Sequence, residues 1–457
     1  MAPMKTVSVT AATARRAPGA PRYSDVCFSA RSRRPVNAED THDTFRDAKA
    51  FHATRLDWVY SSDPVWIAEC KRRGYWFGGA LNTILTDAPG EKTRERGRIL
   101  DRDGQRIAAP WMKSWNGYWG CVNSPQYRET FLAHARLLID GGVDAIQMDD
   151  PDINAAAVQW GGCYCEHCLK KADQQGRTLP RDMAVFQADS VRAFYAFVRE
   201  GIDHYAKRRI PWSSNNYDGR GGFPYDLFDY GIAELPHQSA KPDELYRKFT
   251  AAARLGRQQI FTFVSTDVPL TRRVIATAYA CGGHIIVPYD VYNGDYPRIF
   301  GKPDEYADLY GFVRANAACL DGYEDAAASG KGIEDSRYGL SPPVHVGIDN
   351  VYAFVRAQPG KADGSVAIHL VDWRTQPQPF VLKLRSNRFF GNRPIEAKLC
   401  VPSHFDRDAH AKASEQKDYS SLTKEQEVQT TVNGDCTEIP VPTLHPWSIV
   451  ILNPKEP

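Results

Sequence analysis

Two adjacent carboxylates are the strongest sign of chemistry in this chain. Asp149 and Asp150 follow the largely apolar stretch 143–148, and Pro151 prevents a strand from continuing beyond them. Two acidic side chains placed side by side repel each other and are costly to bury, which favours a functional pair over a simple turn cap. The carboxyl end of a buried strand is also where βα-barrels and doubly wound sheets carry their active sites.

Polar residues recur at the other predicted strand ends, which would converge on one mouth in a barrel. Glu234 ends the sixth predicted strand among apolar neighbours, a setting that raises a carboxyl pKa and suits a general acid, although an ion pair with arginine is the alternative. For Asp57 and Asp267, ligand contact and loop capping are equally open roles. For Asp290, sugar binding and catalysis are equally open. The predicted substrate contacts at strand ends are Asp57, Trp58, Asn82, Asn215, Asn216, His237, Asp267, Asp290 and Tyr292.

Carboxylates flanked by amides and tryptophans are suited to glycoside hydrolysis. One carboxylic acid protonates the leaving oxygen, and the second attacks the anomeric carbon or activates water. Because side chains alternate along a strand, Gln147 and Asp149 share a face, and the polar Gln147 belongs inside the barrel. The sequence therefore predicts Asp149, or else Asp150, as nucleophile and Glu234 as acid/base of a retaining enzyme.

Aromatic residues are abundant, with 10 Trp, 22 Tyr and 20 Phe. Trp111, Trp115 and Trp119 lie in a long loop that follows the third predicted strand. We expect at least one of them, with Trp115 and Trp119 as the candidates, to stack on a sugar ring. A small core within the loop is the alternative.

The ten cysteines are scattered, and only one group is clustered. Cys163, Cys165 and Cys168 have the close spacing of thiolate metal ligands, and Cys121 is the nearest candidate for a fourth ligand. Four thiolates would close the coordination sphere and leave no place for a catalytic water.

The elements that position these residues alternate eight times between strand and helix. The predicted strands cover 25–30, 55–61, 75–84, 144–150, 210–217, 230–235, 259–265 and 284–289. This pattern predicts an α/β fold, a (β/α)8 TIM barrel over residues 23–335. Short β-type runs separated by turns follow, and they predict a C-terminal all-β sandwich over residues 336–457 in which no helix is required.

Composition restricts the partners. The net charge is +2 and no long Lys/Arg run is present, which argues against a nucleic-acid partner. No apolar stretch approaches the roughly 18 residues of a membrane span. Residues 1–22 are basic and lack an apolar signal core, so they are not an intact signal peptide and predict a disordered tail, for which removal of a natural signal is one origin. A secreted or periplasmic location is slightly favoured over a cytoplasmic one.

A family resemblance covers residues 121–168. The segment Cys121-Val-Asn-Ser-Pro-Gln-Tyr-Arg128, the acidic strand-end motif and Cys163-Tyr-Cys-Glu-His-Cys168 resemble glycoside hydrolase family 42, the β-galactosidase family of clan A. The resemblance implies a structural zinc ion held by Cys121, Cys163, Cys165 and Cys168, and a carbohydrate substrate.

The chain departs from that family at its catalytic positions. Clan A enzymes have Asn-Glu where this chain has Asp149–Asp150, and a Glu ends their seventh strand, where this chain ends in Asp267. An aspartate on strand four with an acid on strand six is more similar to the α-galactosidase and related clans. The trimer-forming middle domain of family 42 has no counterpart, which leaves a homo-oligomer open. The alternative to a glycosidase is a non-catalytic carbohydrate-binding protein on a degenerate barrel.

Overall fold

The structure, a computed structural model, describes most of the chain. The described residues are 16–29, 43–85, 97–291, 298–333, 341–361, 364–391 and 393–455, with residues 9, 12, 335 and 337–339. Tyr292 lies outside them. Within this part of the chain, no helix combines the length and the apolar character that a membrane crossing requires.

Eight parallel strands, hydrogen-bonded in chain order, form the first sheet. They are β1 (Cys27–Phe28), β2 (Arg55–Val59), β3 (Trp76–Asn82), β4 (Ala145–Asp149), β5 (Trp212–Ser214), β6 (Tyr230–Glu234), β7 (Gln259–Thr262) and β8 (His284–Ile285). The backbone N–H of Val287, just after β8, donates to the Cys27 carbonyl of β1 at 2.9 Å, so the last strand meets the first. The predicted TIM barrel is confirmed.

Helices separate the strands and begin at sequence signals. Asp63, Ser124 and Asp267 accept hydrogen bonds from first-turn N–H groups, and a proline follows each cap. The helices of the barrel region are α1 (Thr44–Ala50), α2 (Pro64–Arg72), α3 (Pro125–Asp140), α4 (Ile153–Ala157), α5 (Glu166–Gln174), α6 (Met183–Ala206), α7 (Pro242–Arg254), α8 (Val268–Ala280), α9 (Pro303–Ala315) and α10 (Ala317–Leu320). The predicted eighth strand is divided, since β9 (Tyr289–Val291) pairs with β10 (Ile299–Phe300) as a hairpin.

The alternation of side chains along β4 places its two faces in different environments. Ile146 and Met148 are fully buried in the large core shared with the helices. The Gln147 amide instead reaches across the barrel to the Ile232 carbonyl on β6 at 3.5 Å. Asp149 shares the parity of Gln147, so its side chain is directed into the barrel mouth.

The second part of the chain forms two antiparallel sheets. Their strands are β11 (Glu324–Ser329), β12 (Val344–His345), β13 (Val351–Ala357), β14 (Val366–Asp372), β15 (Phe380–Leu384), β16 (Ile395–Pro402), β17 (Thr423–Val428), β18 (Thr431–Asn433), β19 (Cys436–Val441) and β20 (Trp447–Pro454). The orders are β11-β13-β14-β20-β16-β17 and β12-β15-β19-β18. The predicted β domain is confirmed. Its boundary at 335/336 stays a prediction, and β11, which precedes that boundary, pairs with β13 of the β domain.

The expectation that this domain needs no helix is wrong. Besides the short α11 (Asn387–Phe390), it contains α12 (Arg407–Gln416), whose first turn is capped by Asp406. The helix returns to the barrel, where the His410 Nδ1 lies 2.7 Å from the Nε2 of His52. Ser414 Oγ lies 2.8 Å from the other ring nitrogen of His52. These tertiary contacts stabilise a segment whose own sequence has no long apolar stripe.

Candidate active site

Asp149 is the last residue of β4 and is held from three sides. Its Oδ2 accepts hydrogen bonds from the Tyr60 hydroxyl and, at 2.9 Å, from the Asn82 amide. Its Oδ1 accepts a 3.0 Å hydrogen bond from the Asn215 amide. The donors come from the ends of β2, β3 and β5, and the carboxylate is 7% exposed. All three partners are donors, so both oxygens of this carboxyl group act as acceptors and its orientation is fixed.

Tyr60 was not among the predicted site residues. Its hydroxyl accepts a 3.1 Å hydrogen bond from the Trp58 indole and donates to Asp149, so Trp58 acts through Tyr60. Its position in the sequence could have indicated a role in the site, because Tyr60 directly follows β2 at the same edge of the barrel.

Asp150 has a different environment from its neighbour. It is 5% exposed, and burial, followed by the negative charges of Asp149, Asp152 and Glu234, raises the pKa of its carboxyl well above the usual range. The Trp119 side chain partly opposes this shift. The Tyr217 hydroxyl is 3.5 Å from Asp150 and 3.4 Å from Asp152. The two adjacent carboxyls therefore differ, since one is held as an acceptor and the other is favoured as a neutral acid.

Glu234 is the last residue of β6, as Asp149 is of β4. It is half-buried and pairs in register with Thr262 of β7. Its charge contributes to the raised pKa of Asp150, which places it in the same electrostatic environment. The mouth therefore brings together Asp149, Asp150 and Glu234.

Strained backbone surrounds this mouth. Trp58, Asp150, Tyr217 and Asp290 all have left-handed φ angles, at 56°, 49°, 49° and 52°. Such a conformation costs non-glycine residues about 1–3 kcal/mol each and persists where the surrounding structure enforces it, as at ligand sites. Trp58 is the last residue but one of β2, Asp150 and Tyr217 follow β4 and β5, and Asp290 lies in β9.

Several predicted contacts have structural partners instead. Asp57 is fully buried in a two-point ion pair with Arg55, with N–O distances of 3.0 and 3.1 Å, so it is unavailable to a ligand in this conformation. Asp267 caps α8 through the Leu270 N–H, which is the capping alternative. Asn216 exchanges hydrogen bonds with Gln259 inside the barrel.

Two predicted contacts remain near the mouth. Asp290 is buried and accepts a 2.6 Å hydrogen bond from Arg298. His237 is exposed, and one of its ring nitrogens lies 2.7 Å from the Val264 carbonyl beyond β7.

Part of the tryptophan loop packs into the main core of the barrel, whereas Trp111 is 51% exposed. Trp119 is fully buried, and its ring centroid lies 6.1 Å from that of Trp111 and 5.1 Å from that of Trp160. Trp119 is therefore a core residue, as in the alternative to sugar stacking. Its side chain interacts with Asp150, so it lies beside the carboxylates. The side chain of Trp115 lies outside the described residues.

The four predicted cysteine ligands converge in a buried cluster. The Cys121 sulfur lies 3.5 Å from that of Cys168, 3.7 Å from that of Cys163 and 3.5 Å from that of Cys165. All four sulfurs lie within 4.8 Å of one another. A tetrahedral ion with metal–sulfur bonds of about 2.3 Å requires sulfurs about 3.8 Å apart, so this donor set fits a metal such as zinc.

Amide donors support the cluster. Asn123 donates to the Cys168 sulfur at 3.2 Å, and Asn154 to the Cys121 sulfur at 3.5 Å. Hydrogen bonds, above all from Cys121, lower the pKa of the Cys168 thiol. Asn154 also accepts from the Val122 N–H, and it lies in α4, directly after the acidic segment. The cluster therefore fixes the loops on both sides of β4.

Comparison with known proteins gives structural matches alone. No protein-family model and no curated protein matches the chain. A cycloisomaltooligosaccharide glucanotransferase from Paenibacillus sp., in complex with cycloisomaltoheptaose, matches 94% of this chain and 85% of its own at 9% identity and a TM-score of 0.57. A noncanonic maltogenic alpha-amylase from Thermotoga neapolitana matches 95% of this chain and 99% of its own, at 10% identity and a TM-score of 0.54. At these identities the likeness establishes the fold.

Proposed function

We propose that the chain is a glycoside hydrolase that cleaves an oligo- or polysaccharide with retention of configuration. The observation that carries this proposal is the geometry of Asp149. It ends β4, is held by three hydrogen-bond donors, and shares the barrel mouth with Glu234 at the end of β6.

Asp149 is the proposed nucleophile. Its two oxygens are oriented by Tyr60, Asn82 and Asn215, so the group is positioned before substrate arrives. Attack on the anomeric carbon forms a covalent glycosyl–enzyme ester while the bond to the leaving oxygen breaks. The three donors also favour the carboxylate as a leaving group when water later cleaves that ester.

Glu234 is the proposed acid/base. In the first step it donates a proton to the leaving oxygen, and in the second it removes a proton from the attacking water. Retention requires the two carboxyl carbons to lie roughly 5–5.5 Å apart, whereas roughly 6.5–9.5 Å indicates inversion through an interposed water. The raised pKa of Asp150 favours its neutral form, which would avoid a second negative charge beside the nucleophile.

The cysteine cluster is the proposed site of a structural zinc ion. Cys121, Cys163, Cys165 and Cys168 would hold it, and the metal would supply stability to the loops that flank β4. This cluster is also what supports the resemblance to glycoside hydrolase family 42.

An activity screen on aryl glycosides and polysaccharides tests the function. We expect turnover of at least one substrate, and we expect Asp149→Asn to lower kcat by at least about a thousandfold. Glu234→Gln removes the proposed acid/base. Its matched control is Glu427→Gln, because Glu427 is exposed on β17 of the β domain. Carbohydrate binding without turnover would contradict the proposal and favour the non-catalytic alternative.

A further inference from the structure

We propose that a second ligand site, on the face of the barrel opposite the mouth, binds a small sugar-like molecule that carries a phosphate or sulfate group. The site is a cavity of about 440 Å³, within the range of about 300–1,000 Å³ that small-molecule sites have. It is independent of the proposed glycosidase function, and its test is a binding measurement.

The cavity lies at the amino ends of the strands. Thr54 and Tyr75, which line it, directly precede β2 and β3, whereas Asp149 and Glu234 lie at the carboxyl ends of their strands. The β domain closes the cavity with Ser414, Lys417 and Tyr419, which follow or end α12. A ligand there would contact both domains at once.

The lining is strongly basic. Lys49, Arg73, Arg314 and Lys417 line the cavity, and among the described residues no aspartate or glutamate lines it. His52 also lines it and is neutral, because burial lowers its pKa to about 3. Cations that share a cavity whose described walls carry no carboxylate repel each other, and an anionic ligand would relieve that repulsion.

Two of the four cations already have a carboxylate partner, whereas Arg314 donates to the Ser24 carbonyl at 2.7 Å and forms no ion pair with a described residue. Lys49 pairs with Glu415 at 3.2 Å, and Arg73 with Glu69 at 2.6 Å, and neither acid lines the cavity. Lys417 makes no hydrogen bond or ion pair with any described part of the chain.

Hydroxyls and rings complete the lining. The phenols of Tyr75 and Tyr419 form no hydrogen bond with the described residues. Burial raises the pKa of Tyr75 to about 12, so its hydroxyl stays a donor at neutral pH. The rings of Phe45 and Tyr75 are stacked, with centroids 6.3 Å apart, and the Arg73 guanidinium lies 3.9 Å from the Phe45 centroid.

This combination favours a phosphate or sulfate ester over a simple carboxylate. A tetrahedral oxyanion has three free oxygens, and it can accept from guanidinium, ammonium and phenol donors at the same time. The adjacent rings offer an apolar surface for the body of the ligand, such as the face of a pyranose. A carboxylate would satisfy fewer of these donors.

Calorimetric titration of the full chain tests the site, with inorganic phosphate, inorganic sulfate, glucose 6-phosphate and glucose as probes. We expect glucose 6-phosphate to bind, glucose alone to give no heat, and the two inorganic anions to show which oxyanion is preferred. Lys417→Asn should weaken binding at least about tenfold. Asparagine tolerates the left-handed backbone at this position, where φ is 53°.

Lys207→Asn is the matched control. Lys207 is an exposed lysine that also ends a helix, α6, with φ at 54°. The Lys207→Asn substitution should leave the affinity for glucose 6-phosphate unchanged. A thermal melt verifies that each variant is folded, and Tyr419→Phe, which removes one hydroxyl without a change of shape, provides a second measurement. Absence of binding by the wild type, or equal affinities in wild type, Lys417→Asn and Tyr419→Phe, would overturn the proposal.

Discussion

Replacement of Asp150 with asparagine should alter how stability depends on pH. Burial, and then the charges of Asp149, Asp152 and Glu234, raises the pKa of Asp150. The folded protein therefore keeps a proton that the unfolded chain releases above about pH 4. The stability that this proton contributes is fully present below the unfolded pKa and is lost as pH rises through the folded pKa.

The size of the effect follows from proton linkage. While Asp150 is protonated in the folded state alone, wild-type stability falls by about 1.4 kcal/mol per pH unit relative to a group that cannot titrate. Asparagine has the same shape, stays neutral, and keeps the oxygen that accepts from the Tyr217 hydroxyl at 3.5 Å. The variant should therefore gain stability over the wild type steadily as pH increases.

Urea unfolding at about pH 5, 6 and 7, followed by tryptophan fluorescence, measures this difference. Asp103→Asn is the control, since Asp103 is an exposed aspartate in a loop. A difference between wild type and Asp150→Asn that stays constant over this range would refute the reasoning, because it would mean that Asp150 is already ionised in the folded protein.

Three further predictions concern the nucleophile, the acid/base and the metal. Tyr60→Phe should lower kcat about tenfold to a hundredfold, because one charge-assisted hydrogen bond to Asp149 contributes about 1.5–3 kcal/mol, and unchanged kcat would contradict that role. Glu234→Gln should spare substrates with good leaving groups, and azide should restore its activity. Full activity of that variant on a poor leaving group would make Asp290 the next candidate. Elemental analysis should find about one zinc per chain, and chelation should lower Tm, whereas metal-free protein of equal stability would exclude a structural metal.

The barrel could be predicted because its signals are local. Strand and helix periods alternate along the chain, and caps such as Ser124 before Pro125 mark where helices begin. The inward direction of Asp149 followed from the parity that it shares with Gln147. The spacing of Cys163, Cys165 and Cys168 likewise indicated a shared site, and the family resemblance implied Cys121 as the fourth member.

The partners of these residues could not be predicted in the same way. Tyr60 and Asp149 are 89 positions apart, so their contact depends on strand order and register, which no local pattern encodes. The ion pair of Asp57 is an exception, because Arg55 lies two residues earlier on the same face of the strand and this spacing is a local signal. The helix α12 escaped prediction because packing against the barrel, not its own apolar pattern, stabilises it.

The return of α12 to the barrel has a consequence for biosynthesis. The contact between His52 and Ser414 joins residues that are 362 positions apart. At about 5–20 residues per second, a ribosome needs roughly 20–70 seconds to synthesise the intervening chain. During that interval the surface of α1 that α12 will cover stays open to solvent and to chaperones. Ribosome-bound chains that end before residue 407 should therefore expose this surface, which α12 covers once it has been synthesised.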